Sequence, residues 1–237
     1  FGGMPLKNAQ ISSGGVGKHT CEEGMRLCKN NGVKFVNISP QKTDAPNFLK
    51  ADQIFIKPNT DTALMLSLAY LLIVNNTYDK NFIKKYTFGF EEFKKYVTGD
   101  KNSKPCTPEW ASSITGVSVK KINYLYEKII TKKTLISMSW SLQRAARGEQ
   151  PLWMGITLAS MLGNIGKACG GFGFGCTHLL VTSNTTQRGT GVSAGHTGTT
   201  TRSATHLLEQ GFHGCFPGHA GCGTARDFAT ERLEAKL

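Results

Sequence analysis

The chain has 237 residues, 39% of them hydrophobic, enough to bury a sizeable core in one or two domains. Its net charge of +12 would suit nucleic acid, but the lysines stand singly or in pairs, with no arginine-rich run and no interleaved aromatic platform. Solvated helix faces are the expectation, with attraction of an anionic ligand second and a basic nucleic-acid-binding module kept as the alternative. The longest apolar run, residues 63–74 broken by Ser67, is shorter than the roughly 20 residues that span a bilayer, so no transmembrane segment is expected.

In chain order, residues 1–5 read as the end of a strand running into a glycine turn. Residues 21–31 read as a helix closed by Gly32. Residues 33–38 (VKFVNI) and 51–56 (ADQIFI) read as buried strands, the second ended by Pro58. A helix over 61–74 follows, with Asn59 or Thr60 at its N-cap. Two short amphipathic helices split at Gly89 fill 79–97. Another starts at Thr107, with Pro108 in its first turn and Glu109 facing the dipole. Residues 118–131 carry apolar positions at helical spacing.

Residues 134–138 read as a further buried strand, and 139–150 as a polar turn carrying Trp140, Gln143, Arg144, Arg147, Glu149 and Gln150. An amphipathic helix follows, with Leu152, Met154, Ile156, Leu158, Met161 and Leu162 on its apolar face. Strands alternating with helices predict an α/β fold with a mostly parallel sheet. In such sheets ligands bind outside the carboxyl ends of the strands. An indole, an amide, a guanidinium and carboxylates crowded just past a strand end have little folding purpose and point to a ligand there.

Composition changes near Cys176. All thirteen isoleucines lie at or before Ile165, and five of the six histidines lie after the break. Residues 176–237 read as a low-complexity tail, a disordered linker or, preferred here, non-native sequence. Within it His213, Cys215, His219 and Cys222 have the count of a zinc site, but their flanks hold no core residues, so no metal site is read there. Seven cysteines without a CxxC predict neither an iron–sulfur cluster nor a disulfide framework. Residues 13–20 imitate a phosphate-binding loop, yet Ser12 stands where it needs Gly and His19 where it needs Ser or Thr.

Six segments in order, FGGMPLKNAQ from Phe1, SPQKTD from Ser39, KPNTDTALML from Lys57, TPEWASSITGVS from Thr107, SWSLQR…GEQ from Ser139 and LGNIG…GGFGFG from Leu162, resemble the molybdopterin oxidoreductases of the dimethyl sulfoxide, trimethylamine N-oxide and biotin sulfoxide reductase family. The likeness covers roughly residues 1–175 and implies a Rossmann-like, cofactor-binding slice of a longer, multidomain enzyme. It implies a bis(molybdopterin guanine dinucleotide) molybdenum cofactor and reduction of an S-oxide or N-oxide by oxygen-atom transfer. The metal's serine ligand is expected upstream, so the slice alone should be inactive. The electron donor would be a c-type cytochrome or small reductant, and the compartment the periplasm, or else the cytoplasm, with any targeting signal outside this segment.

Carried over residue by residue, the resemblance puts Gly2, Gly3, Met4 and Pro5 against the dinucleotide, where exposed backbone amides can cradle an anion. Met4 replaces a polar residue usual there. Ser39 stands where Rossmann folds use an acid for ribose hydroxyls, and Lys42 within reach of a phosphate. Thr60 and Asp61 follow the third strand. A carboxylate there can take both hydrogen bonds of the guanine edge, although Asp61 by itself suits a helix's first turn. Trp140 and Arg144 would face the metal and substrate as the catalytic pair, and Gln143, Glu149 and Gln150 the pterin. Gly171 and Gly173, in a glycine-rich loop with Gly170 and Gly175, would allow close backbone approach to the cofactor.

Overall fold

The computed structural model describes residues 1–3, 6, 21–100 and 104–174. The described elements are α1 (Cys21–Asn30), β1 (Val36–Ile38), β2 (Asp52–Ile54), α2 (Asp61–Val74), α3 (Lys80–Tyr86), α4 (Phe90–Thr98), α5 (Pro108–Thr115), α6 (Val119–Thr131), β3 (Leu135–Met138), α7 (Glu149–Met161) and β4 (Gly171–Phe174). β1 pairs with β2 and β3 with β4, both in parallel, so the mixed α/β expectation holds at that level.

The two pairs are tied together by the first residues of the chain. The Phe1 amino group donates to the Ser137 carbonyl at 2.7 Å, and Ser139 N donates back to the Phe1 carbonyl at 2.9 Å. Gly2 N donates to the Ile38 carbonyl at 3.0 Å. That offset bonding to β3 is the slanted pattern of a parallel ladder. Phe1 and Gly2 therefore lie between β1 and β3, where the carboxyl ends of the two strands meet. Behind Phe1, a mainly apolar cleft of about 630 Å³ separates the facing edges of β1 and β3, with Val36, Ile38, Leu135 and Met138 among its walls.

Local chemistry sets the helix limits. The Asp79 carboxylate accepts from Phe82 N and caps α3, while Thr107 Oγ1 accepts from Trp110 N and caps α5. Gly89 (φ 77°) and Gly116 (φ 74°) occupy the left-handed region, which separates α3 from α4 and ends α5. Thr60 is the N-cap residue of α2 but does not cap with its side chain; its hydroxyl donates to the Lys57 carbonyl instead, at 2.7 Å.

The core centres on α2, which packs against α4, α5, α6 and α7. Helix α7 lies between α2 and the β3–β4 pair and is buried on nearly all sides, not amphipathic as its sequence suggests. Its Gly155 leaves room for Met138: a Cβ at that glycine would fall 2.1 Å from the Met138 sulfur. Met138 is fully buried. Met138→Ala is expected to destabilise the fold by about 2–5 kcal/mol, read as a lowered unfolding midpoint by tryptophan fluorescence.

Three sequence expectations change here. The strands at 33–38 and 51–56 are shorter, three residues each. Glu149 and Gln150 are the first residues of α7 and not part of the turn. Residues 171–174 are a strand, not a loop. The tail at 176–237, with its zinc-like cluster, and the phosphate-loop imitation at 13–20 lie outside the described residues.

Candidate functional site

The site is built from turns at the carboxyl ends of the strands. The first is Gly2–Gly3, with φ of 79° and 80°. Neither position tolerates a side chain. A Cβ on Gly2 would sit 2.8 Å from Leu142 Cγ, and one on Gly3 would sit 2.5 Å from Asp44 Cβ. The Gly2 carbonyl accepts the Ser141 hydroxyl at 3.0 Å, which clamps this turn to the one after β3. Met4 and Pro5 lie outside the described residues.

The second turn follows β1. Ser39 is fully buried; its amide donates to the Ile54 carbonyl and its own carbonyl accepts from Gln53 Nε2 at 3.2 Å. Its hydroxyl donates to the Asp44 carboxylate. A single 3-10 turn, Lys42–Asp44, carries Lys42 into solvent and brings Asp44 back over Gly3.

The third turn leads from β2 into α2. Thr60 and Asp61 are both buried, Asp61 to 4% exposure, and Asp61 Oδ1 has no hydrogen-bond partner. Burial pushes this carboxyl above its ordinary range, against the weaker opposing pull of the Phe1 amino group and its own backbone amide.

The fourth turn, after β3, is held by Ser139, whose hydroxyl accepts from Ser141 N at 3.3 Å. The 3-10 turn Trp140–Gln143 leaves the indole 42% exposed, with Gln143 and Arg144 also at the surface. Glu149 is exposed in the first turn of α7, whereas Gln150 is 3% exposed and its Nε2 lacks a partner. A buried donor or acceptor left unmet costs about 1–3 kcal/mol. Asp61 and Gln150 are the two such side chains among the described residues, and each opens the helix that follows a strand end.

Gly2, Gly3, Ser39 and the 139–142 turn are thus in direct contact through Asp44, Ser141 and Leu142. Gly171 and Gly173 lie within β4, Gly171 opposite Leu135 at the amino end of β3 and Gly173 opposite Ser137 near its carboxyl end. Sequence reading missed Ser141 and Asp44, whose partners are distant in the chain, and Gly148. Among the described residues no three His, Cys, Asp or Glu side chains could hold a metal. The Cys106 thiol is pushed up to about 12 by burial, as for an inert core cysteine.

Comparison with known proteins shows the family. A family model described as molybdopterin oxidoreductase matches residues 6–217, well beyond the composition break. The chain belongs to the molybdopterin oxidoreductase family. It is 43% identical over 169 residues to the dimethyl sulfoxide/trimethylamine N-oxide reductase of Rhodobacter capsulatus, covering 71% of this chain and 20% of that protein. It is 39% identical over 175 residues to the biotin sulfoxide reductase of Cereibacter sphaeroides, covering 74% and 24%. A trimethylamine-N-oxide reductase of Vibrio cholerae matches at 42% over 144 residues, 60% of this chain and 18% of the relative. The chain spans about a fifth of the length of these molybdopterin oxidoreductases. Among solved structures, the acetylene hydratase from Pelobacter acetylenicus shares the fold, with a TM-score of 0.53 at 20% identity over 61% of this chain and 19% of that one.

Proposed function

We propose that this chain holds one guanine dinucleotide arm of a molybdopterin cofactor at the carboxyl ends of a Rossmann-like sheet, in an enzyme that reduces an S-oxide or N-oxide. The observation that carries the reading is the pair of unmet buried atoms, Asp61 Oδ1 and Gln150 Nε2, in the first turns of the helices that follow β2 and β3, together with a glycine turn that admits no side chain. Taking Phe1 as the end of a first strand, the order across the molecule is third, second, first, fourth, fifth, and the crevice between first and fourth is where dinucleotides lie in such sheets. The names of the relatives, all reductases of S-oxides or N-oxides, supply the substrate class.

The residues fit the group. The backbone of Gly2 and Gly3, with Met4 and Pro5 beyond, would face the pyrophosphate, with Lys42 free in solvent to add charge. Asp61 would accept from the N1 and N2 edge of guanine, a pattern adenine lacks. Gln150, with Gln143 and Glu149, would hydrogen-bond the pterin. Trp140 and Arg144, exposed on the same turn, would line the substrate's approach, the guanidinium holding the polarised oxide oxygen. When bound, the metal centre supplies the two-electron chemistry that removes the oxygen atom. The protein's share is to bind, orient and exclude water. A c-type cytochrome or small reductant as electron donor, and a periplasmic setting, complete the proposal.

The test is to express the full-length enzyme in a host that makes the molybdenum cofactor. Stoichiometric molybdenum and acid-released GMP, with reduction of dimethyl sulfoxide, trimethylamine N-oxide or biotin sulfoxide, is the expected result. A folded enzyme with neither metal nor GMP would end the reading.

A further inference from the structure

We propose that Asp44, positioned by Ser39, is the carboxylate that accepts the ribose hydroxyls of the bound dinucleotide. This rests on the dinucleotide reading above and assigns the ribose contact within it. Rossmann sheets place an acid at the end of the second strand for this purpose. Here that strand, β1, is followed directly by Ser39, which is fully buried and out of a ligand's reach. Its hydroxyl is also committed at both ends. Gln41 N donates to the oxygen at 3.4 Å, so the hydroxyl hydrogen is left for the Asp44 carboxylate.

Asp44 is placed where Ser39 is not. The Lys42–Asp44 turn leaves Asp44 half-buried. Its Oδ2 lies 2.9 Å from where a Gly3 Cβ would be, so it borders the glycine turn proposed for the pyrophosphate. In a nucleoside diphosphate the ribose is the group next to the pyrophosphate. Oδ2 accepts from Ser39, and Oδ1 remains to accept from a hydroxyl. A carboxylate is acceptor-only and can take both hydrogens of a vicinal diol. The Ser39 hydroxyl fixes its rotamer, and Gly3 supplies the space. The missing acid of β1 has thus been replaced by one five residues later, folded back onto the same place.

The experiment uses full-length enzyme purified from a host unable to make the cofactor, with GDP and 2′,3′-dideoxy-GDP as probes in equilibrium dialysis. Wild type should prefer GDP by about tenfold, the worth of a charge-assisted hydrogen bond. D44N should reduce that preference to about twofold or less while leaving dideoxy-GDP binding unchanged, which a merely structural role for Asp44 would not do. S39A should keep an intermediate preference. D44A, which removes volume beside Gly3, gives the same ratio should D44N fold poorly. Undiminished discrimination in the Asp44 variants overturns the assignment while the dinucleotide reading stands. Failure of wild type to bind GDP overturns both.

Discussion

Asp61→Asn is expected to lower the affinity of the full-length enzyme for GDP by about 10- to 150-fold, the range for losing a charge-assisted hydrogen bond of roughly 1.5–3 kcal/mol. Asparagine keeps the shape and one acceptor oxygen but presents an amide towards one of the two guanine N–H groups. Two acceptors become one acceptor and one repelling donor. Specificity should change with affinity: wild type should favour GDP over ADP, and the variant should lose most of that preference. Dialysis against both nucleotides reads this directly, and an unchanged GDP-to-ADP ratio would remove Asp61 from the guanine edge.

The same substitution should leave the ligand-free fold as stable or stabilise it, the reverse of the usual result at a buried position. Burial raises the Asp61 carboxyl above its unfolded value of 3.8, so the folded state holds the proton more tightly than the unfolded one. That contribution favours the fold below the unfolded value and is lost as pH rises through the raised folded value. At neutral pH the ligand-free wild type therefore carries a penalty that Asn avoids. Thermal unfolding at pH 5 and pH 8 should show the wild type losing stability relative to Asp61→Asn as pH rises. Guanine bound as proposed would offer two donors to the ionised carboxylate and offset the penalty, so binding should release protons.

The helical half of the molecule is legible because its signals are local. Residues 61–74 are helical from end to end as read, with Pro108 starting α5 and Gly89 and Gly116 in the left-handed turns that helix ends favour. Strands depend on partners elsewhere. β4 is Gly-Phe-Gly-Phe, with no β-branched residue, and exists because β3 lies beside it and Phe172 packs near Gly155. Helix α7 looked amphipathic because its sequence could not show that both faces meet core, one against α2 and the other against the sheet. Trp140 and Arg144 stood out as polar groups at a strand end, and Asp61 only through the family resemblance. Asp44 did not, because its importance lies in Ser39 and Gly3, five and 41 residues away.

Gly148 was equally hidden, and Gly148→Ala is expected to be among the most damaging single-methyl changes in the chain. Its φ is −62°, so backbone strain is not the reason. Space is: an added Cβ would fall 2.1 Å from the Gln143 carbonyl oxygen and 2.5 Å from its carbon. Backbone cannot swing aside as a side-chain tip can, so the Trp140–Gln143 turn and the start of α7 must separate. Overpacking costs about 1–3 kcal/mol where side chains yield, and a backbone clash belongs at or above the top of that range. Gly32→Ala is the matched control, because nothing lies within 4 Å of its added Cβ and only its φ of 81° opposes the change. That left-handed strain is worth about 1–2 kcal/mol. Gly148→Ala should therefore lower the unfolding midpoint further than Gly32→Ala and, unlike it, reduce molybdenum retention, because Trp140, Gln143 and Gln150 ride on the two segments forced apart. Equal losses of stability with cofactor content intact in both would show that the turn after β3 does not position the cofactor.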